Sequence, residues 1–217
     1  MSGPPVDHLE EMAATLARYE GPLDVVVDIG AHWGFFSILA ADRGAPFVAA
    51  FEPHPSNYMR IAQSVAETGL TGKVSLFPFA VSRHSFDQVT LRQGGPNMGQ
   101  HSIVYKKDKP GFQVPTIGFK DVLRMILGRF GKIDFLKVDI EGGEWTIFDM
   151  EDTELPSLLK KVGYIDLEMH PLSITDYYEA GQTDLSEKLR AYLIGLGFHG
   201  EQEGHPWWFH RHRTPGV

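Results

Sequence analysis

Cysteine is absent from the 217 residues of this sequence. Its absence excludes disulfide bridges, thiolate metal sites and cysteine nucleophiles, so serine, carboxylate and histidine chemistry remain. Long hydrophobic runs are also lacking. No segment approaches the ~20 apolar residues that span a bilayer, and the first twenty residues have neither a basic start nor an apolar core. We therefore expect a cytoplasmic protein with no membrane partner.

Basic residues are in the minority, with 20 Lys and Arg against 28 Asp and Glu and a formal net charge of −8. Nucleic-acid binding needs a concentrated basic face, so we expect no nucleic acid as a partner. The hydrophobic and charged fractions, 42% and 22%, are typical of a globular protein of single-domain size. We expect one domain over residues 1–217.

Stretches typical of buried strands alternate with helical patterns through the first half of the chain. An amphipathic helix is expected within residues 1–20. It is followed by strands at Leu23–Ile29, Phe47–Glu52 and Lys73–Val81 and by helices at Trp33–Arg43 and Pro55–Thr68. Because alternating strands and helices form a parallel sheet, we expect an α/β fold with a ligand site at the carboxyl ends of the strands.

Residues 82–117 have a different pattern of short alternating stretches separated by glycine and proline, which we interpret as a β-rich insertion or lid. The elements predicted after it are helix Phe119–Phe130, strand Ile133–Asp139, helices Gly142–Met150 and Leu155–Lys161, strand Tyr164–Glu168, helix Thr183–Ile194 and strands Phe198–Gln202 and Pro206–His210. The last two strands suit a hairpin. The sequence thus predicts a mostly parallel sheet of about seven strands with an antiparallel C-terminal edge. The edge strand could also pair between two subunits, so a homo-oligomer is one possible state of the protein.

The first predicted strand ends in an acidic residue followed by two glycines that open a helix: Asp28, Gly30 and Gly34. Glycines let a ligand approach the backbone, and a helix N-terminus offers unpaired N–H donors. A dinucleotide fingerprint requires a glycine where His32 stands, and Asp28 would repel a diphosphate. Asp28 suits an ammonium group instead. S-adenosylmethionine fits, because it has an ammonium, a sulfonium and no phosphate; the alternative is a tight turn without a ligand.

The second predicted strand ends in Glu52, 24 residues after Asp28. An acid at this position accepts hydrogen bonds from both hydroxyls of a ribose in adenosine-binding folds of this topology. The adenine is expected beyond the third strand, near Phe79 and Ala80, where the chain offers backbone and apolar contacts. Together the two strand ends predict a binding site for an adenosine cofactor.

Polar side chains also follow two later strands, with Asp139 and Glu141 after one and Glu168 and His170 after the other. Carboxylates beside a histidine can hold a hard divalent cation such as Mg²⁺ or Mn²⁺, or they can form a general-base group. The metal hypothesis uses Asp139, Glu168 and His170. A third interpretation is that Asp139 and Glu141 cap the following helix and that His170 packs against Pro171.

Several segments resemble the FkbM family of S-adenosylmethionine-dependent O-methyltransferases. They are VDIGAHWGFFSILAA at Val27–Ala41, FEPHPSN at Phe51–Asn57, NMGQHS at Asn97–Ser102, IDFLKVDIEGGEW at Ile133–Trp145 and LEMHP at Leu167–Pro171. The resemblance implies a Rossmann-like methyltransferase fold and methyl transfer to a hydroxyl of a small molecule, often a sugar or natural product.

The resemblance also implies roles for individual residues. It places Asp28, Gly30 and Gly34 at the methionine part of the cofactor and Glu52 on the ribose. Asn97, Gly99 and Ser102 fall in the family's second glycine motif, and we count Asn97 and Ser102 with the cofactor site. Asp139, Glu141, Glu168 and His170 fall near the transfer site. One position departs from the family, because His32 stands where asparagine is usual.

The expected reaction is direct displacement at the sulfonium methyl group by an acceptor oxygen. His170 is the best candidate for the base, with Asp139 and Glu168 orienting it or holding a metal. Two other functions stay open. One is a Rossmann-type oxidoreductase that uses a nicotinamide cofactor, and the other is a cofactor-binding module without catalytic activity.

Overall fold

A computed structural model describes residues 6–92, 101–103, 110–169, 185–202 and 206–210. Asn97, Gly99 and His170 lie outside these ranges. The helices are α1 Val6–Ala17, α2 Phe35–Asp42, α3 Pro55–Glu67, α4 Phe119–Phe130, α5 Glu144–Ile147, α6 Leu155–Leu159 and α7 Leu185–Gly195. The strands are β1 Val25–Ile29, β2 Phe47–Phe51, β3 Val74–Phe77, β4 Ala80–Ser82, β5 Gln88–Arg92, β6 Gly111–Gly118, β7 Ile133–Val138, β8 Val162–Glu168, β9 His199–Gln202 and β10 Pro206–His210.

The strands β1 and β7 form the centre of a seven-stranded sheet with the order β3-β2-β1-β7-β8-β10-β9. Every residue of these two strands is buried, as expected where helices cover both faces of a sheet. Pairing is parallel from β3 to β8, whereas β10 is antiparallel to β8 and β9. The predicted α/β fold with a mostly parallel sheet and an antiparallel C-terminal hairpin is therefore confirmed.

Each face of the sheet has its own apolar core, because successive side chains of a strand point to opposite faces. On one face Val26 and Phe135 pack with residues of α1, α2 and α3, among them Leu16. On the other face Val27 and Leu136 pack with residues of α4, α6 and α7. In the described part of the chain, every helix is too short or too polar to span a bilayer.

The register between β1 and β7 is supported by a buried carboxylate at the start of β7. Oδ2 of Asp134 accepts hydrogen bonds from the backbone N–H groups of Asp24 and Val25, at 3.0 and 2.9 Å. Oδ1 of the same carboxylate lies 3.0 Å from Nζ of Lys132. One side chain thus joins two strands whose contacting residues are 110 and 109 positions apart in sequence.

The prediction of one strand over Lys73–Val81 is wrong. β3 ends at Phe77, and β4 begins at Ala80 in a second, three-stranded sheet with the order β4-β6-β5. Pro78 lies between the two strands and has no N–H to continue the ladder. The second sheet confirms that the insertion is rich in β-structure.

The prediction of a helix over Gly142–Met150 is also wrong, because α5 covers a single turn from Glu144 to Ile147. The φ angles of Glu141 and Gly142 are +52° and +97°, which places both residues outside the right-handed helical region. At the other end Phe148 has a ψ of 79° and leaves the helix. The chain therefore makes a compact turn where the sequence suggested a helix.

Candidate functional site

Four predicted site residues lie one step beyond a common row of the sheet. In that row Ile29 is the register partner of both Phe51 and Val138, and Val138 is the partner of Leu167. The residues that follow these four are Gly30, Glu52, Asp139 and Glu168. The parallel topology thus brings together strand ends that are far apart in sequence, as expected for a ligand site of this fold class.

Gly30 and Gly34 are both required by packing within the protein. Gly30 has a φ of +87°, and a Cβ atom there would lie 1.7 Å from the carbonyl oxygen of Asp139. Gly34 has a φ of +79°, and a Cβ atom there would lie 2.8 Å from Cγ2 of Ile61. The first glycine therefore seats the loop against the end of β7, and the second seats α2 against α3.

His32 lies in the same loop with a φ of +52°, in the left-handed region that favours glycine and asparagine. Its backbone N–H donates to Oε2 of Glu52 at 2.8 Å. Its ring stacks on Trp33 with centroids 4.8 Å apart, and the guanidinium of Arg60 lies 4.1 Å from the centroid of the Trp33 ring. The left-handed backbone gives a physical reason for asparagine at this position in the family that the sequence resembles.

We predict that His32→Asn keeps the free energy of unfolding within about 1 kcal/mol of the parent, whereas His32→Val lowers it by a further ~1–2 kcal/mol. Both variants lose the ring stacked on Trp33, so the difference between them reports the left-handed backbone. Urea unfolding of the two variants measures that difference. Equal stability of the two variants would contradict the prediction.

Glu52 is buried, with 5% of its surface exposed, and both of its oxygens accept hydrogen bonds. Oε1 accepts from the backbone N–H of His54 at 2.8 Å and from Nδ2 of Asn57 at 3.4 Å, while Oε2 accepts from His32. Burial raises the pKa of Glu52 to about 7, against these three hydrogen bonds, which lower it. The carboxyl group can still accept hydroxyl donors on its remaining lone pairs.

The two carboxylate oxygens of Asp28 differ in their hydrogen bonding. It is 1% exposed, and Oδ2 accepts a 2.6 Å hydrogen bond from Oγ of Ser37 in α2. Oδ1 is buried and has no hydrogen-bond partner among the described residues. Burial raises the pKa of Asp28, and Lys137 and Ser37 only partly oppose this effect. A buried carboxylate oxygen without a partner is costly, so this atom suits a charged N–H donor from a ligand.

Lys137 is a buried lysine beside these acids, with 4% of its surface exposed. Its register partners are Asp28 on β1 and Asp166 on β8, and its Nζ lies 3.0 Å from Oδ2 of Asp139. Burial by itself lowers the pKa of Lys137, but the negative charges of Asp139, Asp28, Glu168 and Asp166 raise it above the ordinary value. Lys137 is therefore an ammonium ion. Lys137 and Asp139 are two positions apart, so strand alternation puts them on one side of the sheet, but the sequence does not reveal the burial of Lys137.

The turn after β7 is held by Glu144 and by one residue of the insertion. The buried carboxylate of Glu144 accepts from the backbone N–H groups of Ile140 and Gly142, each at 2.9 Å. Oγ of the buried Ser102 donates to the carbonyl of Glu141 at 2.7 Å. Glu144, which the sequence analysis did not single out, thus organises the turn that follows Asp139, and Ser102 joins this turn to the insertion.

A stacked pair of histidines connects the insertion to the turn after β2. The rings of His54 and His101 are 4.2 Å apart with an interplanar angle of 7°, and the edge of Phe112 meets His54 at 5.3 Å. Desolvation lowers the pKa of His54, which favours the neutral form of this ring. His101 lies between Asn97 and Ser102 of the predicted cofactor motif, and no pattern in the sequence indicates its contact with His54.

The two residues expected at the adenine differ in their surroundings. Phe79 is partly exposed between β3 and β4. Ala80 is buried in the small apolar core of the insertion with Leu91 and Val114. An adenine contact of either residue stays a prediction.

The predicted metal group is not assembled by the described residues. Among them, no three His, Asp or Glu side chains are grouped so that they could hold a metal ion, and His170 lies outside the described ranges. Asp139 has the ammonium of Lys137 at 3.0 Å, which occupies one oxygen and opposes a second cation there. The residues present thus favour a carboxylate–lysine pair over a metal centre at Asp139.

Comparison with protein families gives a match between residues 28–199 and the family described as the methyltransferase FkbM domain. This range includes every predicted site residue. No curated protein matches the chain.

Solved structures with a similar fold include several methyltransferases. A putative tRNA (m1A22) methyltransferase of Streptococcus pneumoniae, in complex with S-adenosyl-L-methionine, has a TM-score of 0.52 at 13% identity, over 99% of this chain and 76% of that one. Magnesium protoporphyrin IX methyltransferase of Synechocystis PCC 6803, with the same cofactor bound, has a TM-score of 0.51 at 14% identity, over 98% and 87%. A methyltransferase FkbM of Methylobacillus flagellatus KT has a TM-score of 0.52 at 15% identity, over 86% and 43%. At these identities the likenesses show the Rossmann-like methyltransferase fold.

Proposed function

Because this chain belongs to the FkbM family of methyltransferases, we propose that it transfers a methyl group from S-adenosyl-L-methionine to a hydroxyl of a small molecule, a sugar or a natural product. The observation that carries the proposal is the unpartnered, buried Oδ1 of Asp28 beside the Gly30–Gly34 loop. Such an atom favours a ligand with an ammonium group and disfavours one with a phosphate. Two of the similar structures contain this cofactor, which supports the same choice.

In this proposal the cofactor lies across the carboxyl ends of β1 and β2. Asp28 accepts the ammonium group, and Glu52 accepts both ribose hydroxyls on its remaining lone pairs. Phe79 and Ala80 border the adenine, and Asn97 completes the site from the insertion. Ser102 supports it indirectly, because its hydroxyl already donates to the Glu141 carbonyl.

The bound cofactor would supply a methyl group on a positively charged sulfur. The chain has to place an acceptor hydroxyl in line with that carbon and sulfur and to remove the hydroxyl proton. We assign the removal of this proton to His170, with Asp139 and Glu168 orienting the hydroxyl or the imidazole. Glu141 is the next candidate for a role at the transfer site. The proposal includes no metal ion, because the Lys137 ammonium already neutralises Asp139.

The nicotinamide alternative meets two obstacles in the same loop. The backbone N–H of His32 is donated to Glu52 and is not available to a pyrophosphate. Asp28 would also place a carboxyl group near the phosphates, where like charges repel. A binding module without activity differs from the proposal only in turnover, so an assay separates the two.

The proposal predicts that S-adenosyl-L-methionine and its demethylated product bind, and that NAD does not. Isothermal titration calorimetry with the three compounds measures this, and binding of NAD in place of the other two would overturn the proposal. Turnover is then followed with ¹³C-methyl cofactor and a panel of sugar and natural-product alcohols, with and without EDTA. A new methoxy signal in the NMR spectrum is expected. Its absence across the panel would favour the binding module, and its loss in EDTA would restore the metal hypothesis.

A further inference from the structure

The buried ammonium group of Lys137 lies in a row of acidic residues. Asp28 and Asp166 are its neighbours on the two adjacent strands, Asp139 bonds to its ammonium, and Glu168 also acts on it. This charged row lies just before the strand ends where we place the cofactor, and the carbonyl of Asp139 contacts the Gly30 backbone.

Substrate and product of the proposed reaction differ by one charge. The cofactor has a sulfonium ion, whereas the demethylated product has a neutral thioether, and the amino-acid ends and the adenosines are the same. A negative charge at the strand ends therefore stabilises the substrate more than the product. It also stabilises the substrate more than the transition state, in which the charge on sulfur is already decreasing, and binding of that kind does not accelerate the reaction.

We infer that Lys137 is a specificity-determining residue that limits the preference of this site for the sulfonium substrate over the thioether product. The inference rests on the proposed function, because it assumes that the cofactor occupies the carboxyl ends of β1 and β7. The ammonium acts through its charge on the potential at the sulfur, without contacting the cofactor. Asp139, which bonds to Lys137 and is 25% exposed at its side chain, has the opposite effect.

The test measures the dissociation constants of S-adenosyl-L-methionine and S-adenosyl-L-homocysteine by calorimetry at about pH 8, where ordinary carboxyl groups are ionised. The quantity of interest is the ratio of the product constant to the substrate constant. Lys137→Met is expected to raise this ratio roughly five- to fiftyfold. This range follows from Coulomb's law for an assumed separation of about 7 Å between the ammonium group and the sulfur and an effective dielectric constant of about 20–40. Lys137→Arg keeps the charge and is expected to leave the ratio unchanged.

Lys132→Met is the matched control. Lys132 directly precedes β7 and pairs with Asp24 and Asp134, at the opposite end of the strand from Lys137. This control variant is expected to leave the ratio unchanged. Asp139→Asn is the second variant, and it is expected to lower the ratio. Because Asp139 is partly exposed, this variant tests the inference even where Lys137→Met does not fold.

The outcomes separate the inference from the proposed function. A ratio within twofold of the parent in folded Lys137→Met, or in Asp139→Asn if Lys137→Met does not fold, would overturn the inference. Equal increases in Lys137→Met and Lys132→Met would also overturn it, since the effect would then follow from any lost lysine. Failure of the parent protein to bind either compound would instead overturn the proposed function.

Discussion

Replacement of Gly30 by alanine is expected to lower the free energy of unfolding by at least ~4 kcal/mol, which few single substitutions do. A Cβ atom would lie 1.7 Å from the Asp139 carbonyl oxygen, so either the loop or the end of β7 has to move. Both parts belong to the candidate site. The variant is therefore expected to lose cofactor binding as well as stability, which urea unfolding and calorimetry measure.

Gly69→Ala is the control for the backbone conformation alone. Gly69 has a φ of +71°, and a Cβ atom there would meet nothing within 4 Å. Its replacement is expected to cost about 1–2 kcal/mol, the penalty for an L-residue in the left-handed region. If Gly30→Ala and Gly69→Ala lose the same stability, contact with Asp139 is not the reason for the first glycine.

Replacement of Glu52 by alanine is expected to weaken binding of S-adenosyl-L-methionine by ~1.5–3 kcal/mol, the range for lost hydrogen bonds to a charged group. The same change leaves the N–H donors of His32, His54 and Asn57 without their acceptor, so stability also falls. Glu67→Ala is the matched control, since Glu67 is an exposed acid at the end of α3. Similar affinities of the two variants would contradict the role of Glu52.

The pH dependence of cofactor binding tests the same carboxyl group. Its pKa is about 7 in the folded protein without a ligand, against an ordinary value of 4.5. A raised carboxyl pKa means that the folded state holds a proton that the unfolded chain releases. Protonation of Glu52 therefore stabilises the folded state at low pH, and this contribution to the free energy of unfolding is lost as the pH rises from 4.5 through 7. Ribose hydroxyls donate to the ionised form. Affinity for the cofactor is therefore expected to rise up to about tenfold per pH unit toward pH 7 and to level off above it.

Glu52→Ala is expected to reduce this pH dependence strongly. The neighbouring titratable groups are Asp28, whose pKa burial also raises, and His54, whose pKa desolvation lowers. A dependence that survives unchanged in Glu52→Ala would assign the proton to Asp28. Calorimetry in buffers of different ionisation enthalpy counts the protons released in each case.

The sequence was sufficient to predict the sheet and the residues at the strand ends, because both depend on runs of residues that are close together in the chain. The apolar stretches of β1 and β7 indicated burial on both faces, and parallel pairing then placed Glu52 and Asp139 at one edge. The hydrophobic pattern encodes neither the break at Pro78, which follows from its missing N–H, nor the single turn of α5, which follows from the positive φ angles of Glu141 and Gly142.

Two features of the site that the sequence did not reveal depend on residues that are distant in sequence. The Lys137 environment requires the register of β1, β7 and β8, which fixes Asp28 and Asp166 on either side. The stacking of His54 on His101 depends on where the insertion folds back. Asn97 and His170 remain predictions from the sequence, and the roles given to Glu168 and Glu141 remain proposals.

The hydrogen bonds from Asp24 and Val25 to Asp134 have a consequence for the order in which the protein folds. During synthesis β1, α2, β2 and α3 can associate early, but the second edge of β1 stays open until more than a hundred further residues have been made. Closing so long a loop slows folding, and an unpaired apolar strand is prone to pair with another chain in the meantime. The yield of folded protein is therefore expected to depend on the speed of translation and on chaperones, and not on the stability of the finished sheet alone.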